Sequence, residues 1–168
     1  ETKLLMQTKI IKISKYIGLL FLLVIFILSI AYFFRTDPIM MISGKKLSGQ
    51  ELPYPEDWRF TNKYRTVKVE TNPDDPHSVT TLCFVREGKL VIPAQEGHTK
   101  IWPQNVLKDS RVRIKVGDKV YLARLILVNK DAKISEFGPF LAIKFPKRLP
   151  PEPGEGPKNI WLFEVSHR

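Results

Sequence analysis

An uncharged run of nineteen residues near the start of the sequence limits what this chain can fold into. Residues 16–34 read YIGLLFLLVIFILSIAYFF, with an aromatic residue at one end and three at the other. A helix of that length spans roughly 28 Å, about the thickness of a hydrocarbon core, and its terminal aromatics suit the two interfacial belts. A buried helix of a soluble domain and a cleaved signal peptide are the alternatives. The Phe33-Phe34-Arg35 sequence is a poor cleavage site, so we predict a transmembrane helix, retained as a signal anchor, over residues 16–34.

Basic residues around this run predict its orientation and exclude one class of partner. Four lysines lie in the N-terminal segment 1–15, and three basic residues, Arg35, Lys45 and Lys46, follow the run. The positive-inside rule therefore favours a cytoplasmic N-terminus in the cell inner membrane, with the C-terminal domain in the periplasm. The formal net charge is +10, but it is spread along the sequence without a recognition module, which argues against nucleic acid as a partner.

The sequence after the run divides into a tether and a β-rich domain. Residues 35–57 lack hydrophobic periodicity and contain several prolines and glycines, so we interpret them as a tether. Strands are predicted in the remaining residues, 58–168, at 66–71, 79–86, 89–94, 111–116, 119–129, 139–145 and 159–165. Short helices are predicted at 99–108 and 131–137. The pattern is mainly β and favours a small barrel or sandwich.

Two glycine-containing dipeptides, at 87–88 and 117–118, predict β-hairpins with two-residue turns. The second turn places Arg111 opposite Arg124, with Arg113 on the same side of the sheet. Opposed like charges destabilise a strand pair, so we expect an anion over these three arginines. That anion could be a cofactor phosphate or an acidic partner surface. Solvent screening or nearby acids of the chain itself are the simpler explanation.

The sequence contains no catalytic triad, zinc-ligand spacing or Walker phosphate loop, and we predict no metal site. Asp74, Asp75 and His77 cluster in NPDDPH, but the two prolines there favour a turn over regular ligand geometry. Cys83 lies in a predicted strand without an adjacent base, which indicates a small buried residue and not a catalytic thiol.

The segment 98–116, HTKIWPQNVLKDSRVRIKV, carries a more informative motif. Thr99 and Lys100 precede a short helix containing Trp102 and Asn105, and a strand with alternating apolar residues follows. This arrangement resembles the flavin-binding split-barrel superfamily, which includes pyridoxamine-phosphate oxidases and deazaflavin-dependent nitroreductases. The resemblance covers residues 58–168 and implies a mainly β fold, a small split β-barrel, that binds FMN or a deazaflavin. It places His98, Thr99 and Lys100 at the cofactor phosphate, with Trp102 and Asn105 lining the site. Packing in the core is the equal alternative for Trp102.

Two functions remain open at this point. The first is a membrane-anchored flavin-dependent oxidoreductase that binds its cofactor at a homodimer groove, with Arg111, Arg113 and Arg124 as further candidate cofactor contacts. The second is a non-catalytic accessory subunit without cofactor, whose barrel docks onto other membrane-protein subunits. Ser110 stands where the family usually has proline, and a glycine- and arginine-rich phosphate segment is missing from residues 61–71. The missing phosphate segment and the tether favour the second function.

Overall fold

The structure, a computed structural model, describes residues 2–33, 36–146 and 156–168. The chain forms two compact units, Glu1–Arg35 and Thr36–Arg168. The first unit consists of helix α1, Thr2–Phe33, whose section Lys12–Phe33 is long and apolar enough to cross a membrane. The predicted N-terminal helix is therefore confirmed, although Phe34 lies outside the described residues. Its orientation stays a prediction.

The second unit is built on one sheet. Its strands are β1 (Gln50–Leu52), β2 (Thr66–Thr71), β3 (His77–Leu82), β4 (Phe84–Arg86), β5 (Lys89–Gln95), β6 (Arg111–Val116), β7 (Lys119–Ala132) and β8 (Ile160–Ser166). Two helices, α2 (Ile101–Lys108) and α3 (Ile134–Lys144), and a 3₁₀ turn, Arg59–Lys63, complete its regular structure.

The order of the strands makes the sheet an open barrel. Neighbours follow the order β3-β2-β6-β7-β8-β5-β4, and β1 adds to β7 as the one parallel pair among the described residues. The terminal strands β3 and β4 are separated along the chain only by Cys83. The sheet must therefore curve until its two ends meet. This confirms the predicted fold class, mainly β with a small split barrel and short helices, while the predicted strand 79–86 proves to be two strands separated by Cys83.

Both predicted hairpins are confirmed. Arg86 pairs with Lys89 across the first turn. In the second hairpin Arg111 pairs with Arg124, which is the predicted register. Glycine is required at one turn position because Gly117 has φ of 63°, a conformation that costs other residues more.

Two apolar clusters use opposite faces of the sheet. Alternate residues of β5, including Leu90 and Ile92, join the interior cluster with Trp102 of α2, whereas Val91 faces the other way. Val91 belongs to a second cluster beneath α3, where the rings of Phe84 and Phe137 stack with centroids 5.5 Å apart. Helix α3 thus covers the outer face of the sheet.

The predicted strand at 139–145 is wrong, because these residues belong mostly to α3. The helix begins after Lys133, whose backbone N–H donates to the Glu136 carboxylate at 3.2 Å. This is one half of a capping box. Pro139 lies inside the helix, where it removes one backbone hydrogen bond. Burial of Phe137 and contacts of its neighbours on the sheet compensate for that loss. The predicted short helix at 131–137 therefore starts later and continues through the supposed strand.

The interpretation of residues 35–57 as a tether also needs correction. Leu47 is 2% exposed, and β1 pairs with β7. Asp37 forms ion pairs with Lys68 of β2 and Lys115 of β6. These contacts attach residues 36–52 to the sheet, which the lack of hydrophobic periodicity could not show.

Candidate functional site

The basic hairpin face, comprising Arg111, Arg113 and Arg124, obtains most of its counter-charge from this chain. Arg113 donates from Nη1 to Glu70 Oε2 at 2.7 Å and from Nη2 to Glu51 Oε1 at 2.7 Å. Glu70 is nearly buried and also accepts the backbone N–H of Leu47. Arg113 therefore holds β1 and the preceding segment against the sheet.

The other two arginines lie at the outer surface. Arg111 forms a bidentate contact with Asp109, and its hydrogen bonds lower the pKa of that carboxyl to about 2. Arg124, which is exposed opposite Arg111, adds a smaller charge effect on the same carboxylate. The expected anion is thus supplied by acids of the chain for two of the three arginines.

The predicted phosphate loop lies between β5 and α2. His98, Thr99 and Lys100 are exposed there and adjacent to one another. The Thr99 hydroxyl donates to the Glu96 carbonyl at 3.0 Å. His98 Nε2 stands 3.7 Å from the Glu96 carboxylate. The loop therefore presents Lys100 with no ion-pair partner among the described residues.

Trp102 and Asn105 do not line an open site. Trp102 is 4% exposed and packs against Phe163 with ring centroids 5.1 Å apart, so it is a core residue. Asn105 donates its side-chain amide to the Thr71 hydroxyl at 3.1 Å, which ties α2 to β2. The structure brings His98, Thr99 and Lys100 together in one loop. Arg111 and Arg113, by contrast, contact Asp109, Glu51 and Glu70, which lie outside that loop.

A cleft of about 710 Å³ lies between the outer face of the sheet and α3. Its lining comes from β3, β5, the start of β8, the 95–100 loop and α3: Thr80, Thr81, Leu82, Pro93, Gln95, Lys100, Ile134, Phe137, Gly138, Pro139, Leu141, Ala142, Phe145, Gly156, Pro157 and Ile160. Lys100 is the one charged residue among these described lining residues. Clefts of this size bury most of a cofactor-sized ligand.

The lining suits a ligand with an apolar body and an anionic group. Phe137 and Leu141 supply apolar surface from α3, and Lys100 supplies a cation. The Thr80 hydroxyl is buried without a hydrogen-bond partner among the described residues, and such groups are uncommon in folded proteins.

Of the residues that line the cleft, Lys100 alone was predicted from the sequence. Thr80, Gln95 and Gly138 belong to no recognisable motif, and the wrong strand at 139–145 concealed the helix that covers the cleft. One available signal was Glu136, three residues after Lys133, which fits a helix start.

A buried lysine lies outside both the basic hairpin face and the cleft. Lys144, near the end of α3, is 6% exposed and donates to the Thr61 carbonyl at 3.0 Å. Its ammonium group also lies 2.9 Å from the sulfur of Cys83, at the bend between β3 and β4. These contacts join α3 to the point where the sheet closes.

Comparisons with known proteins give similarities at the level of solved structures. No protein-family model matches the sequence, and no curated protein matches it. An F420 reductase matches 67% of this chain and 94% of its own at 14% identity, with a TM-score of 0.44. A nimC/nimA family protein of Clostridium acetobutylicum matches 64% of this chain and 74% of its own at 16% identity, with a TM-score of 0.42. A pyridoxamine 5′-phosphate oxidase-related, FMN-binding protein of Nostoc punctiforme matches 61% and 71% at 13% identity, with a TM-score of 0.40.

Proposed function

We propose that this chain is a membrane-anchored split-barrel protein that binds FMN or a deazaflavin in the cleft between the sheet and α3. The observation that carries the proposal is the single cation, Lys100, at a cleft of about 710 Å³ whose other described lining residues are uncharged. Such a site favours a ligand with one anionic end and an apolar body. The anchor would be α1, in the inner membrane, with the domain in the periplasm.

Different residues of the cleft would bind different parts of the cofactor. Lys100 would hold the phosphate, helped by backbone groups of the 96–100 loop, and Phe137 and Leu141 would cover the ring system. A bound flavin would supply hydride or electron transfer, which makes a flavin-dependent oxidoreductase the expected enzyme class. The protein would exclude water from one face of the ring through α3.

The experiment measures binding to the full chain, purified in detergent. The absorption spectrum of the native protein is recorded first. FMN and a deazaflavin are then added in steps, and binding is followed by the change in protein fluorescence. Lys100→Ala should weaken binding about tenfold or more, because a charge-assisted hydrogen bond contributes about 1.5–3 kcal/mol. Lys108→Ala, at an exposed lysine outside the cleft, is the matched control.

A second variant tests the cleft by filling it. A Cβ at Gly138 meets nothing within 4 Å, and leucine favours a helix more than glycine does. Gly138→Leu should therefore preserve the fold, as judged by circular dichroism, and abolish flavin binding. Flavin affinity that is unchanged in Gly138→Leu would refute this site, and a folded wild-type protein that binds neither cofactor would refute the function.

The alternative function, a non-catalytic accessory subunit, is supported by a different observation. Trp102 lies in the core, and Arg111 and Arg113 pair with acids of the chain, so three expected cofactor residues serve the fold instead. In addition, Ile126 and Val128 on the outer face of β7 are each 46% exposed. Exposed apolar residues on a central strand suit a contact with another subunit or a second copy.

Membranes solubilised in mild detergent distinguish the two functions. If the barrel is an interaction module, Ile126→Glu with Val128→Glu should disrupt co-purification of a partner or shift the oligomeric state. Flavin binding would then be absent in the wild type. Lys130→Glu, on the same strand and also exposed, controls for the added charge.

A further inference from the structure

A short apolar hairpin follows the membrane-spanning helix. Ile39 and Ile42 exchange two backbone hydrogen bonds, at 3.0 and 2.9 Å, and Met40 and Met41 form the turn between them. Met40 has φ of 50°, where turns ordinarily use glycine, asparagine or aspartate. Methionine at this position is unfavourable for the turn itself, which indicates another role for its side chain.

All four side chains of this membrane-proximal hairpin, residues 39–42, project into solvent. Met41 is 99% exposed and Met40 is 82% exposed, while Ile39 and Ile42 are 60% and 51% exposed. Single exposed apolar residues are ordinary on a protein surface, but four consecutive ones at a loop tip indicate a contact.

The hairpin is held rigidly on the barrel. Gly44 and Ser78 of β3 exchange backbone hydrogen bonds at 2.8 and 3.0 Å, and Lys45 N–H donates to the Thr36 carbonyl at 2.7 Å. Asp37, just before the hairpin, accepts hydrogen bonds from Ser48 and ion-pairs with two lysines of the sheet. The tip is therefore presented in one orientation, with little ordering left to occur on binding.

Its neighbours in the sequence identify the surface that it fits. Ile39 stands six positions after Phe33, the last residue of α1, and such a segment reaches at most about 21 Å. Two exposed lysines, Lys45 and Lys46, follow the hairpin directly. An apolar tip beside basic residues matches the interface of a bilayer that contains anionic lipids.

We infer that the membrane-proximal hairpin inserts into the bilayer interface as a second membrane contact, with Lys45 and Lys46 at the lipid headgroups. This inference rests on the membrane anchoring included in the proposed function, but not on flavin binding. The contact would fix the orientation of the barrel on the membrane, because the hairpin is bound firmly to the sheet.

Depth-dependent fluorescence quenching tests the inference on the full chain. The protein carries Cys83→Ala and one labelling site, Met41→Cys, Phe26→Cys or Lys108→Cys, and is reconstituted into vesicles of phosphatidylcholine and phosphatidylglycerol in equal parts. An environment-sensitive dye is attached, and nitroxide lipids carry the quencher at a shallow or a deep acyl carbon. We expect the Met41 label to be quenched more by the shallow nitroxide, the Phe26 label more by the deep one, and the Lys108 label by neither.

The outcomes separate the hairpin from the anchor. Quenching at Phe26 with none at Met41 overturns the inference and leaves the anchor intact. Absence of quenching at both positions overturns the membrane anchoring itself. A blue-shifted Met41 label that no lipid nitroxide quenches, and that returns to the aqueous spectrum as protein is diluted in lipid, identifies a second copy as the occupant and also overturns the inference.

Discussion

The side-chain nitrogen of Lys144 lies 2.9 Å from the sulfur of Cys83, and both residues are buried where the ends of the sheet meet. Burial raises the pKa of the Cys83 thiol, and the neighbouring Lys144 ammonium offsets part of that effect. The thiol is thus protonated at neutral pH, the form that is unreactive towards disulfide reagents.

We expect Cys83 to react with a disulfide reagent only after the domain unfolds. The native protein in detergent should remain unlabelled at pH 7, and addition of urea should give full labelling, followed by absorbance. In Lys144→Met the positive charge that lowers the pKa of the Cys83 thiol is absent, so any labelling of the native protein should begin at a higher pH than in the wild type. Rapid labelling of the native wild-type protein at pH 7 would contradict the burial of this thiol.

Arg113→Met should destabilise the domain by about 3–5 kcal/mol, because it leaves the nearly buried Glu70 carboxylate without its cationic partner. Arg111→Met is the matched control. Its pair with Asp109 is half exposed and screened by solvent, so its removal should have a much smaller effect. Urea unfolding monitored by tryptophan fluorescence measures both. Equal effects of the two substitutions would show that Arg113 carries no special structural role.

Acid should weaken the attachment of residues 36–52 to the sheet, because Asp37 makes part of it. Burial alone would raise its pKa, but hydrogen bonds from Lys115, Ser48 and Lys68 outweigh burial and hold the pKa well below the ordinary 3.8. The stability that this carboxylate contributes is complete above pH 3.8 and declines as the pH falls below it. Thermal unfolding of the wild type should therefore show a drop in this range that Asp37→Asn reduces. An identical pH profile in the variant would exclude Asp37 as the cause.

Two glycine-to-alanine substitutions should have opposite effects. A Cβ at Gly97 would lie 2.5 Å from the ring of Trp161, so Gly97→Ala should displace the 96–100 loop and cost about 1–3 kcal/mol. Gly138 lies in α3 with open space around it, and Gly138→Ala should stabilise the domain by about 0.5–1 kcal/mol. Thermal unfolding measures both changes. Stabilisation by Gly97→Ala would show that the loop packs differently from the structure described.

The sequence predicted the features that local chemistry determines. Turn residues and alternating side chains specified both hairpins, including the pairing of Arg111 with Arg124, because a two-residue turn fixes the register. The uncharged run likewise specified α1. The motif at 98–116 located α2 correctly, but it could not show that Trp102 packs inward and not towards a ligand.

Long-range contacts determined what the sequence did not show. Residues 36–52 have no apolar period, and they are held by ion pairs to β2 and β6 that become visible only when the strands are assembled. The segment at 139–145 contains alternating and helical apolar spacings at once, and its packing on Phe84 selects the helix. The cleft depended on that helix, so both were missed together.

The position of β8 has a consequence for the timing of folding. This strand, Ile160–Ser166, is the last along the sequence, yet it pairs with β7 on one side and with β5 on the other. Until it is in place, the sheet consists of two separate pieces, β3-β2-β6-β7 with β1, and β5-β4. The barrel therefore cannot close until residues 160–166 have been synthesised, however early the two pieces form.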